Sequence, residues 1–150
     1  MSGARPPSEP QEDGAGNSDL ASDSGALGPG VGESLDRLSP SLSVLQRAQG
    51  HRSATDDILA AWIAWMAAPQ ASKVLDLGCG HGTVTLHLSQ VLPAASFLSV
   101  EVQSLSADLA RRNVVLNGLE DRIRVLQLDL RELELGPGDE GFDLATGTPP

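Results

Sequence analysis

Lys73-Val74-Leu75-Asp76-Leu77-Gly78-Cys79-Gly80-His81-Gly82 reads as a buried strand that runs straight into a glycine loop, with a helix continuing from about Thr83. Glycines at alternate positions leave the backbone bare, and the free N–H groups of a helix N-terminus point at the same spot, so the arrangement suits a nucleotide-sized cofactor. A plain glycine-rich turn between strand and helix is the alternative. The spacing also selects among cofactors. A dinucleotide fingerprint needs G-x-G-x-x-G, whose third glycine would fall at position 83, where this chain has Thr83 and places its glycine at Gly82 instead.

Two more strands end on acids. Ser96-Phe97-Leu98-Ser99-Val100 is an apolar run closed by Glu101, 19 residues past Gly82, and a carboxylate at a strand tip can accept both hydroxyl protons of a ribose. Ile123-Arg124-Val125-Leu126-Gln127-Leu128 mostly alternates apolar with polar and is closed by Asp129, which is equally suited to cap a helix. Helices connect these strands. Val84, Leu86, Leu88, Val91 and Leu92 form one apolar stripe that Pro93 stops, and a second helix from about Ser104 carries Leu105, Leu109, Val114, Val115 and Leu116 before Asn117-Gly118 ends it. Arg111 and Arg112 fall on its outer, solvated side. Phe142-Asp143-Leu144-Ala145-Thr146 reads as a fourth strand. The alternation defines an α/β protein with a Rossmann-like parallel sheet of about four strands and right-handed crossovers.

Upstream, a helix is expected from Thr55, whose hydroxyl can cap it, with Ile58, Leu59, Trp62, Ile63 and Met66 turned toward the sheet. Residues 1–48 are rich in Gly, Pro, Ser and acids without a sustained apolar period. The expectation is a disordered tail there and a cofactor-binding part over residues 49–150.

The G-x-G-x-G loop preceded by Asp76 resembles motif I of the class I S-adenosylmethionine-dependent methyltransferases. That resemblance implies that Gly78, Cys79, Gly80 and Gly82 pack against the methionine part of S-adenosylmethionine. It also implies that Asp76 helps orient the ammonium group, that Glu101 holds the ribose, and that Asp129 or the backbone of Leu130 meets the adenine. Arg52-Ser53-Ala54-Thr55-Asp56-Asp57 is similar to the N-terminal signature of bacterial tRNA adenine-N6 methyltransferases and of the related small-domain methyltransferases, with Thr55 and Asp56 matching. Thr148-Pro149-Pro150 stands where amino-group methyltransferases carry Asn-Pro-Pro-Tyr. By that resemblance the catalytic residues are Thr148, Pro149 and Pro150, with threonine replacing the asparagine. The resemblance spans about Arg52 to Pro150 and implies a seven-stranded sheet, so a piece of a longer enzyme is expected, with its fourth strand left as an open edge.

The implied activity is methyl transfer to a nitrogen, adenine N6 in tRNA first, with a protein glutamine amide or a catalytically inactive cofactor-binding module as alternatives. RNA is therefore a possible partner, although the charge does not favour it. The chain has 10 basic and 20 acidic residues, and 7 basic against 13 acidic lie beyond position 48, a surface that does not attract phosphate overall. An RNA substrate would need a local basic patch such as Arg111, Arg112, Arg122, Arg124 and Arg131. His51, His81 and His87 form no ligand set with the lone Cys79, so no metal and no internal disulfide are expected. The N-terminus lacks the basic-then-apolar order of a secretory signal and is too acidic for an organellar transit peptide. With no membrane-spanning apolar run, a cytoplasmic protein is the expectation.

Overall fold

In the computed structural model the described residues are 28–147. The acceptor motif Thr148, Pro149 and Pro150 and the first 27 residues lie outside them. The chain runs through β1 (Glu33–Arg37), β2 (Ser43–Arg47), α1 (Thr55–Ala67), β3 (Lys73–Leu77), α2 (Thr83–Val91), β4 (Ser96–Glu101), α3 (Ser104–Leu116) and β5 (Ile123–Gln127). A short 3-10 turn at Leu130–Glu132 and β6 (Leu144–Gly147) complete it.

The four later strands form one parallel sheet in the order β5-β4-β3-β6. From β3 the chain winds outward to β5, then returns to the other side of β3. That reversal opens a crevice at the carboxyl ends of the strands, where ligands of open α/β sheets bind. Burial alternates along β3, with Val74 and Asp76 buried and Lys73, Leu75 and Leu77 only half-buried. Val74, Phe97 and Ile123 join Ala61 and Ala64 of α1, Val84 and Leu88 of α2, and Val114 of α3 in one core. All three helices therefore pack on one face of the sheet. Fully buried Leu86, Leu88, Val74 and Val100 each contribute about 1.5–3 kcal/mol of transfer free energy.

Two expectations are corrected. Residues 33–47, placed in the disordered tail, form an antiparallel β1–β2 hairpin, with Glu33 opposite Arg47 and Arg37 opposite Ser43. Its local pattern is weak because its order comes from elsewhere. Val44 and Leu45 are fully buried, Val44 packs with Leu42 and Leu86 of α2, and the partners that hold β2 lie on α3, some 70 residues downstream.

The second correction concerns α1. Ile58, Leu59, Trp62, Ile63 and Met66 do not face the sheet and are about half to two-thirds exposed. Asp57, Ala61 and Ala64 are the buried positions, and Trp65 packs at the core's margin. The sequence of α1 is apolar nearly all round, so periodicity could not choose a face, and the small alanines permit the closer approach to α2. Nor is Thr55 the cap. Ala54 occupies that position, and the Asp57 carboxylate accepts a bond from Ala54 N at 3.1 Å.

β6 pairs only with β3 among the described residues, so it is a sheet edge. No helix of the described residues is long and apolar enough to cross a membrane.

Candidate cofactor site

The glycine loop is stitched to the tip of β4. Gly78 N and Cys79 N both donate to Val100 O, at 2.8 and 3.0 Å, and Gly82 N donates to Cys79 O at 2.8 Å before α2 begins. Gly78, Gly80 and Gly82 all have positive φ. At Gly82 the requirement is the backbone conformation, since φ is +90°, while an added β-carbon would make only ordinary contact with Ala110 Cβ on α3 at 3.6 Å. An added carbon at Gly78 or Gly80 would meet nothing within 4 Å, so these two border open space.

Glu101 faces this bare backbone. Its Oε2 accepts from Gly80 N at 2.9 Å, its Oε1 accepts from Gln103 N at 2.8 Å, and the residue is 7% exposed. A left-handed loop beside open space with a carboxylate on its rim fits a ribose-bearing cofactor. The acid supplies the acceptors that two vicinal hydroxyls require.

Asp76 lies behind the loop rather than on its rim, at 1% exposure. The Thr85 hydroxyl donates to its Oδ2 at 2.5 Å, and Thr85 Oγ1 lies 2.9 Å from Ser99 Oγ. Burial raises its pKa from 3.8 to about 6, with the Thr85 hydroxyl bond opposing the shift and the negative fields of Asp57 and Glu101 adding to it. The carboxylate thus clamps the first turn of α2 to β3. Burial also pushes the Cys79 thiol well above its ordinary range, with the charges of Asp76 and Glu101 adding, which leaves it an unreactive packing group. His81 is 6% exposed, its Nε2 lies 2.8 Å from Thr83 Oγ1, and burial lowers its basicity.

Leu128 N donates to Glu101 O at 3.0 Å, extending the β4–β5 ladder past the Glu101–Gln127 pair, and Asp129 and Leu130 follow directly. Asp129 caps the 3-10 turn. Its carboxylate accepts from Arg131 N at 2.9 Å and pairs with the Arg131 guanidinium, which holds its pKa down to about 2. Leu130 is 41% exposed and lines an open groove of about 600 Å³ with Ile63, Ala64, Leu77, Thr146 and Gly147. Gly147 itself has no room for a side chain, because an added β-carbon would stand 2.5 Å from Leu77 O.

Four of the five arginines considered for a basic patch are engaged locally. Arg112 pairs with Glu33 and donates to Gly28 O, so it is an anchor for the hairpin rather than a solvated charge. Arg122 donates to Ser89, Leu92 and Ala95 carbonyls, Arg124 pairs with Asp139, and Arg131 pairs with Asp129. Among the described residues no group of three or more His, Cys, Asp or Glu stands together as a metal cage. Thr85 and Ser99 were missed from the sequence. Their signal is a polar residue at positions where the helix and strand periods call for an apolar one.

With this geometry in hand, similarity to known proteins places the chain. A family model described as a methyltransferase domain matches residues 74–148. The chain belongs to that family, and its fold is that of the class I S-adenosylmethionine-dependent methyltransferases. Membership assigns the cofactor expected from the motif, S-adenosylmethionine.

The tRNA1(Val) (adenine(37)-N6)-methyltransferase of Porphyromonas gingivalis is 32% identical over 105 residues, covering 66% of this chain and 40% of that protein. The type II methyltransferase M.XamI of Xanthomonas campestris pv. amaranthicola is 31% identical over 121 residues, covering 75% of this chain and 23% of that protein. Among solved structures, the complex of aTrm5 with tRNALeu superimposes with a TM-score of 0.57 at 17% identity, covering 69% of this chain and 30% of that one. The chain thus spans well under half the length of the relatives it matches.

Proposed function

We propose that this chain is the cofactor-binding part of an S-adenosylmethionine-dependent methyltransferase that acts on a nitrogen, adenine N6 in tRNA being the acceptor. The observation that carries the reading is the Glu101 carboxylate, buried at the tip of β4 and bonded to Gly80 N of a side-chain-free loop. The adenine assignment is supported by the printed activity of the relatives at about 32% identity and by the Pro-Pro pair following β6.

S-adenosylmethionine supplies an electrophilic methyl group on a sulfonium. Transfer of that group is an in-line displacement, so the protein's task is to orient the two partners and exclude water. Glu101 would hold the ribose by exchanging its Gly80 contact for hydroxyl donors. Gly78, Cys79, Gly80 and Gly82 would line the methionine portion, and Asp129 and Leu130 would border the base. Asp76 acts through Thr85, by fixing the start of α2, instead of touching the cofactor. At the acceptor, the Pro149 carbonyl and the Thr148 hydroxyl would accept hydrogen bonds from the target amine. This draws electron density onto its nitrogen, and Pro150 completes the motif.

Equilibrium dialysis with labelled S-adenosylmethionine tests the site. The unsubstituted chain should bind, and Glu101→Ala should weaken binding at least about tenfold, the loss of one charge-assisted contact. Asp76→Ala should also weaken it, and full binding by both variants would contradict the assignment. Incubating the chain with bulk tRNA and identifying the modified nucleoside tests the acceptor. N6-methyladenosine is expected, and a methyl group on any other position would refute that part.

A second reading is favoured by Thr148, which stands where amino-group methyltransferases carry an asparagine and lacks its planar amide, and it is a module that takes up the cofactor without turnover. Any methyl transfer by the 150-residue chain would eliminate it.

A further inference from the structure

Two asparagines one turn apart on α3 bind β2 in the same manner. Asn117 Oδ1 accepts from Ser43 N at 3.0 Å, and its Nδ2 donates to Ser43 O at 2.8 Å. Two residues along the strand, Asn113 Oδ1 accepts from Leu45 N at 2.6 Å and its Nδ2 donates to Leu45 O at 2.9 Å. Side-chain amides at i and i+4 of a helix thus serve as a neighbouring strand for alternate residues of β2. They satisfy the backbone groups that point away from β1, which would otherwise be stranded without partners where Leu45 is buried.

The two differ in their remaining bond. Asn117 Nδ2 returns to its own helix, to Asn113 O at 2.7 Å. Asn113 Nδ2 instead crosses to the glycine loop and donates to His81 O at 2.8 Å. Asn113 is completely buried, and all three of these bonds are made within the protein. His81 lies between Gly80 and Gly82, two glycines with left-handed φ. Such residues have the most backbone freedom to lose when a ligand orders them.

We propose that Asn113 is a positioning residue of the cofactor loop, and that through it the N-terminal hairpin is part of the cofactor-binding apparatus although no hairpin residue lies on the loop's open side. The inference rests on reading the glycine loop as the cofactor site. Its physical content is preorganisation. The bond to His81 O holds the loop in its bound shape before the ligand arrives, so the ordering cost is met during folding instead of during binding.

Asn113→Ala and Asn117→Ala in the full chain separate this role from a structural one, because each removes the same pair of bonds to β2. Both should lower the melting temperature. Asn113→Ala should weaken S-adenosylmethionine binding about tenfold, as expected for one buried hydrogen bond, while Asn117→Ala stays within about twofold. Equal affinities in the two variants, whether both unchanged or both reduced alike, would overturn the proposal.

If Asn113→Ala fails to fold, amide hydrogen exchange on the unsubstituted chain decides. Coupling between two sites is reciprocal. Saturating S-adenosylhomocysteine should therefore slow exchange of the Leu45 amide more than that of the Ser43 amide, and equal protection would overturn it. A chain that takes up no cofactor at all would instead overturn the methyltransferase reading, and this inference with it.

Discussion

The tip of the sheet around β3 and β4 and the side formed by α1 and β6 are built from opposite materials. At the tip, polar side chains are buried and bonded. Asp76 meets Thr85, Glu101 meets Gly80 and Gln103, and Asn113 meets Leu45 and His81. On the α1 and β6 side, large apolar groups such as Trp62, Ile63 and Met66 stand in solvent beside an open groove and an unpaired strand edge. Buried polar networks cost stability unless every member is satisfied, so a chain carries them where geometry must be fixed. The contrast locates the fixed geometry at the cofactor end and leaves the acceptor side open within the described residues.

Substitutions can sharpen this contrast. The largest loss should come at the junction of the two regions. Gly147→Val would drive a β-carbon into Leu77 O and should cost about 3 kcal/mol or more, read as a lower denaturation midpoint. Retention of wild-type stability would mean that β6 does not pair with β3 as described.

Asp76→Asn should act in the other direction. The folded-state pKa of Asp76 is raised from 3.8 to about 6. Its contribution to stability is therefore fully present below pH 3.8 and is lost as pH rises through 6. At pH 7.5 the charged form should cost about 3 kcal/mol relative to a neutral isostere, an upper bound at 1.36 kcal/mol per unit. The variant should be more stable than the parent at pH 7.5, with the difference shrinking toward pH 4. A difference independent of pH would show that Asp76 does not titrate in this window.

Smaller effects are expected at the periphery. Arg112→Ala removes the half-buried pair with Glu33 and the bond to Gly28 O and should cost about 1 kcal/mol, a value that thermal denaturation resolves. Ile63→Ser on the open side of α1 should change stability by no more than about 0.5 kcal/mol. A large loss there would mean that this helix face is covered in solution.

The parts of this architecture legible in the sequence are those whose signals are local. Strand β3, the three glycines, the carboxylate end of β4, Asp129 just past β5 and the stop at Pro93 each announce themselves within a few residues. The parallel direction of the four strands follows from that alternation. The hairpin was not legible because Glu33–Arg37 and Ser43–Arg47 have little apolar rhythm, and the groups that hold β2 are asparagines on α3. The facing of α1 was illegible for the opposite reason, since Ile58 to Met66 offers apolar residues in every direction and only the packing partner selects among them. Within the site, Glu101 was readable from its place at a strand tip. The inward turn of Asp76 toward Thr85 was not, because motif spacing fixes the position of a residue but not the direction of its side chain.

A cofactor position between the glycine loop and Glu101 is tested by titrating S-adenosylhomocysteine into the 15N-labelled chain. The perturbed amides should cluster at Gly78 to Gly82, at Glu101 to Gln103 and at Asp129 to Leu130, with α1 residues Ile58 to Met66 unmoved. Perturbations confined to the α1 and β6 groove, with the glycine loop silent, would contradict it.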